Sequence, residues 1–145
     1  MRTLAFLALA ACSAAGADPK PALTIANGKP GAFTLTANEA VKLKTVASIE
    51  RKDDKGKWAD ISKGFDVGLG YRLIAACTDK APDCVSIAAG GTLSPAPWTG
   101  YTCSSQCNGD CDKNGRYGEG DYRLVVTSCD GNTTVTGPTF HMPKS

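Results

Sequence analysis

Between Cys107 and Arg123 the chain reads CNGDCDKNGRYGEGDYR. Asp110, Asp112, Asn114 and Gly115 occupy the first, third, fifth and sixth positions of a calcium-loop pattern. The backbone carbonyl of Arg116 falls on the seventh position and Asp121 on the twelfth. Calcium takes six to eight oxygens at about 2.3–2.6 Å, which alternate side chains of a curling loop supply by converging on one ion. Two features depart from the pattern: the last position carries Asp where the longer, bidentate Glu is usual, and no helical periodicity flanks the loop. It is therefore not an EF-hand. Asp, Asn and Gly are also what any exposed turn prefers for its own backbone hydrogen bonds. A calcium-stabilised loop and an ion-free hairpin end both fit these residues.

Other chemistry finds little footing. The single histidine, His141, stands beside Met142 near the end of the chain. As copper ligands the two would have to face one ion, but adjacent strand residues point to opposite faces. No motif supplies a nucleophile for a Cys/His or Ser/His pair, and the carboxylates are scattered without an acid–base partner. Gly68-Leu69-Gly70 lacks the spacing of a phosphate-cradling loop. Asn132-Thr133-Thr134 fits a glycosylation sequon, a common match that supplies no catalytic group. The expectation is a protein that is not an enzyme.

The cysteines depend on the compartment, and the first residues speak to that. MRTLAFLALAAC opens on Arg2 and continues as an apolar run from Leu4 to Ala11. That run is too short for a bilayer span, which needs about 20 residues, and has the layout of a secretory signal. It ends in Leu9-Ala10-Ala11-Cys12, which resembles the lipobox of bacterial lipoproteins, although the segment before Cys12 is shorter than usual. The resemblance implies residues 1–11 as signal peptide and lipidation of Cys12. With Ser13 following, it also implies an outer-membrane destination. Cleavage after Ala15-Gly16-Ala17, giving a secreted or periplasmic protein, is the competing reading. Residues 12–21 then form the lipidated N-terminus and a tether reaching about 30 Å at most.

Seven cysteines minus Cys12 leave six, an even set that suits three disulfides in an exported chain. Cys77 and Cys84 bracket TDKAPD between two strand-like runs, so a bridge closing that connection is expected. Cys103, Cys107, Cys111 and Cys129 allow three pairings, with Cys129 reaching toward the loop cysteines. The spacing would also permit zinc, but export favours disulfides.

The elements that must hold these residues are short strands. Apolar residues alternate at Leu23 and Ile25, Phe33 and Leu35, Val41 and Leu43, and Ala47 and Ile49. They recur at Tyr71 and Leu73, Val85 and Ile87, and most strongly in DYRLVVTSC through Tyr122, Leu124 and Val126. A last strand passes through Val135 and Phe140. Turn residues separate the runs, as in a sandwich or barrel. The expected domain, residues 22–145, is an all-β, disulfide-stapled antiparallel sandwich of about eight strands. Trp58 and Tyr122 are its candidate core aromatics, and residues 99–121 its cysteine-rich loop. GEGDYRLVV resembles the tyrosine corner of immunoglobulin-like domains. From Cys77 to Phe140 the order of features is similar to small lipoproteins of environmental bacteria such as myxobacteria, a likeness that implies no activity.

Charge narrows the partners. Removing Arg2 takes the formal charge from +2 to +1, and no arginine-rich stripe is present, so nucleic acid is not an expected partner. The expected partners are a membrane, through the lipid, and an envelope protein or glycan. Trp98 and Tyr101 in SPAPWTGYTC are candidate binding anchors, alternatively covers for the open end of the core. The expected function is a non-catalytic envelope binding or structural module. A disulfide-stiffened inhibitor of a secreted enzyme and a calcium-stabilised adhesion module are the alternatives.

Overall fold

The computed structural model describes residues 16–62, 71–74, 82–100 and 117–144. Its strands are β1 (Leu23–Asn27), β2 (Phe33–Ala37), β3 (Val41–Lys44), β4 (Val46–Lys52), β5 (Trp58–Asp60) and β6 (Tyr71–Arg72). They continue with β7 (Cys84–Ile87), β8 (Thr92–Leu93), β9 (Gly120–Thr127), β10 (Thr134–Thr136) and β11 (Phe140–Met142). Every pairing among them is antiparallel. One sheet runs β1-β2-β8 and a second runs β10-β9-β4-β5, with β11 also on β9 and β6 also on β4. The class is therefore the expected all-β sandwich.

Among the described residues eleven strands stand where about eight were expected, and three local breaks set their order. Thr45, a buried polar residue, separates β3 from β4. Its amide donates to the Asp83 carbonyl, its hydroxyl to the Pro82 carbonyl, and its own carbonyl accepts from the Leu73 amide. Those bonds turn the chain so that β3 pairs with β7 while β4 pairs with β9. The turn at Gly90 and Gly91 creates β8 as a short strand against β2. Pro138, which has no amide to donate, separates β10 from β11.

The core follows from alternation. Phe33, Leu35 and Ala37 on β2 point inward, as do Ala47 and Ile49 on β4 and Tyr122, Leu124 and Val126 on β9. Aromatic rings close one end: Phe33 meets Tyr71 and Phe140 at 5.7 and 5.3 Å between centroids, and Trp98 meets Tyr122 at 5.0 Å. These edge-on geometries suit ring quadrupoles. The buried Tyr71 hydroxyl donates to the Ala96 carbonyl at 2.6 Å, and burial pushes its pKa far up.

Trp58 corrects an expectation. It lies half-buried on β5, at the outer side of β4, and takes no part in the core. The Arg123 guanidinium lies 4.2 Å from its ring centroid and the Lys52 ammonium 5.9 Å away, so cations occupy the indole instead of core side chains. Glu50 fixes that guanidinium through a 2.6 Å contact to Arg123 Nε.

Candidate functional site

The structure pins the base of the cysteine-rich segment. Trp98 is only 3% exposed and packs on Tyr122, Phe140 and Tyr117. Its amide donates to the Gly31 carbonyl at 2.9 Å. Gly31 has a φ of +79°, and a β-carbon there would lie 2.0 Å from the Trp98 carbonyl oxygen. Glycine is thus required for the strand-side backbone to dock. Two residues on, the Gly100 carbonyl accepts the Tyr117 amide at 2.8 Å, and the Tyr117 hydroxyl donates to the Ile61 carbonyl at 3.1 Å. Residues 101–116 are thereby bracketed by a hydrogen-bonded pair seated on a buried indole. Trp98 is accordingly a foundation and no exposed binding anchor; a flat apolar ring flanked by three others gains more from burial than from display.

The expected tyrosine corner is present. Tyr122 is fully buried, and its hydroxyl donates to the Gly118 carbonyl at 2.7 Å. Arg51 braces the same turn by donating to the Glu119 carbonyl at 3.0 Å. Burial raises the Tyr122 pKa, opposed by the Arg51 charge.

Of the calcium candidates, Asp121 lies among the described residues, and Asp110, Asp112, Asn114 and Arg116 lie outside them. Asp121 pairs across the ladder with His141, and His141 Nδ1 sits 2.9 Å from Asp121 Oδ1. His141 Nε2 is 3.5 Å from Glu119 Oε1, so the two ring nitrogens address different carboxylates. The Asp121 hydrogen bond, with the Glu119 charge behind it, raises the histidine pKa. Met142 is buried while His141 is exposed, which separates the pair as strand alternation requires. Among the described residues no cluster of three or more histidine, cysteine or carboxylate groups could hold a metal ion.

Cysteine pairing also differs from expectation. Cys84 is bonded to Cys129, with Cα atoms 5.8 Å apart, so neither Cys77–Cys84 nor a Cys129 bond to a loop cysteine forms. The reason lies in β3. Cys84 pairs with Lys44 on one side of that strand, while the Cys129 amide donates to the Lys42 carbonyl at 2.8 Å. β3 therefore brings together two residues 45 apart in sequence. Cys12, Cys77, Cys103, Cys107, Cys111 and Tyr101 lie outside the described residues.

A groove of about 710 Å³ was not foreseen. It opens between the start of β1, β3 and the β9–β10 hairpin, and includes Leu23, Val41, Leu43 and Val135. Each of these stands in a run whose pattern predicts a strand. Nothing in the pattern signalled that β1 and β10 would leave a trough between them.

These features define an antiparallel β-sandwich with a pinned loop base at one end and an apolar trough at its edge. No family model, no curated protein and no solved structure matches the chain.

Proposed function

We propose that this chain is a non-catalytic lipoprotein of the cell envelope, acylated on Cys12, that binds a protein or glycan partner through its cysteine-rich segment 101–116. The observation that carries the reading is the closed base of that segment: Gly100 bonded to Tyr117, on Trp98. Binding residues commonly sit on loops that a rigid scaffold positions. Anchoring Trp98 in the core leaves Tyr101, three residues on, as the aromatic candidate for contact. The Leu9-Ala10-Ala11-Cys12 motif supports the lipid anchor, and the Cys84–Cys129 bond supports an oxidising, extracytoplasmic compartment. With Cys84 and Cys129 used, Cys77, Cys103, Cys107 and Cys111 remain as an even set for two further bridges. An outer-membrane address rests on Ser13.

The test is intact mass of the protein taken from membranes, before and after reduction. Acylation at Cys12 and a gain of two hydrogens for each of three bridges is the expected outcome. A cytosolic molecule with free thiols and no acyl group refutes the reading. For the partner, envelope extract is passed over the immobilised protein. Tyr101→Ala is expected to weaken retention by more than about tenfold if this ring is a binding anchor, with the melting temperature unchanged.

A further inference from the structure

The trough has no part in displaying the loop, and it lies where the tether arrives. Pro21 and Ala22 belong to its lining, directly before β1. The Pro21 carbonyl accepts from Asn38 Nδ2 at 2.6 Å. The Ala22 carbonyl accepts the amides of Asn38 and Glu39 at 2.8 and 3.3 Å. The chain leading back to Cys12 therefore departs from a fixed point on the trough itself. Nine residue steps separate Cys12 from Pro21, a reach of about 30 Å when extended and far less when folded back.

The chemistry of the lining fits one kind of occupant. Val41 and Val135 supply methyl surface over the buried Leu23 and Leu43, and the threonines of β10 add their own methyls, while Lys42, Ser128 and Asp130 also belong to the lining. The volume falls within the range, roughly 300–1,000 Å³, that encloses small apolar ligands. An aliphatic chain needs apolar contact and no hydrogen-bond partner. A chain attached nearby through a short flexible linker also has an effective concentration of order millimolar, which no free ligand matches at ordinary levels.

We propose that this trough shelters an acyl chain carried by Cys12 when the protein is away from a bilayer. The inference rests on acylation of Cys12. The sandwich then covers its own hydrocarbon in water, and releases it where a membrane offers a larger apolar phase.

Photo-crosslinking tests this in the native full chain. Cells are fed palmitic acid bearing a diazirine near its tail; the lipoprotein is purified from their membranes, freed of detergent and irradiated. The expected result is an acylated Cys12 and intramolecular cross-links confined to peptides covering residues 41–44 and 128–136. An acylated protein whose cross-links fall elsewhere, or join two copies, overturns the shelter and leaves the lipoprotein reading intact. Absence of any acyl mass on Cys12 overturns both. Thr134 is an exposed residue of the lining. Thr134→Trp is expected to fill the trough without disturbing the core and to cut the cross-link yield by about tenfold, the effect of blocking an intramolecular site. Thr136→Lys, placing a charge there instead of bulk, is the second variant. An unchanged yield in a folded variant of either kind refutes the proposal.

Discussion

At the scale of single residues, Gly31 and His141 carry the sharpest consequences. Gly31→Ala combines a left-handed backbone, which costs about 1–2 kcal/mol for an ordinary residue, with a β-carbon 2.0 Å from the Trp98 carbonyl oxygen. Relieving that overlap should add about 1–3 kcal/mol, for a total near 3 kcal/mol in urea denaturation. Gly90 has almost the same φ, +78°, but open space around its missing β-carbon. Gly90→Ala should therefore lose only the backbone part, and equal losses at both positions would refute the role given to the Trp98 contact. His141 makes a prediction in pH. The carboxylates facing it are Asp121 and Glu119, both on its partner strand or just before it. They raise its folded pKa above the unfolded value near 6.5. The stabilisation is then fully present below about pH 6.5 and is lost as pH rises through the higher folded value. Wild-type stability should decline over that window, and His141→Gln should flatten the decline. A variant with the same pH profile would show that the imidazole is uncoupled from β9. None of this was visible in the sequence, where His141 read only as a strand residue, because neither carboxylate adjoins it along the chain.

At the scale of elements, a one-residue register change governs the last strand. β10 pairs Thr134 with Thr127 and Val135 with Val126, whereas β11 pairs Phe140 with Tyr122. Between the two ladders the C-terminal side carries one extra residue, a bulge at the Gly137-Pro138 break. A slip of one residue exchanges the faces of a strand. The bulge is what sends Phe140 and Met142 into the core and His141 out. A trace of it was legible: the last strand passes through two apolar residues, Val135 and Phe140, that stand an odd number of residues apart and so fall on opposite faces of a regular strand. Most of the other strands were legible from plain alternation, since β2 and β9 bury alternate side chains and β4 does so at Ala47 and Ile49. Trp58 misled because size and apolarity mark a core residue only on an inner strand, and β5 lies at a sheet edge. Deleting Pro138 removes the extra residue and leaves one register along the whole strand, with Phe140 still opposite Tyr122 and Met142 opposite Gly120. Both side chains keep a burial worth about 1.5–3 kcal/mol each, so the urea midpoint should stay close to wild type. A loss of about 3–6 kcal/mol on deletion, enough to unfold a marginal domain, would show that the bulge itself is needed to hold both side chains in the core.

At the scale of the whole molecule, the Cys84–Cys129 bond ties the middle of the chain to its end, and it does so through β3. The expectation of Cys77–Cys84 came from proximity in sequence, which favours short loops. The fold instead uses the strand that changes sheets at Thr45, and its pairing with both β7 and the end of β9 is a long-range fact that no local pattern encodes. A cross-link over 45 residues removes more freedom from the unfolded chain than one over seven. In the chain-entropy picture it contributes about 4 kcal/mol. The double variant Cys84→Ala/Cys129→Ala leaves no stray thiol at this site and should lower stability by about that amount, roughly 15 °C in melting temperature for a domain of this size. The loss should reside mainly in the unfolded state. The folded variant should therefore keep the contacts of β3 with β7, and the denaturant slope should rise as the unfolded chain expands. The same variant bears on the trough, because Cys129 and β3 both line it. If the bond holds β3 against the β9–β10 hairpin, amide exchange in Val41–Lys44 should quicken when it is removed. If exchange there is unchanged while stability falls, the bond acts on the unfolded chain alone and the walls of the trough are held by the strand pairing itself.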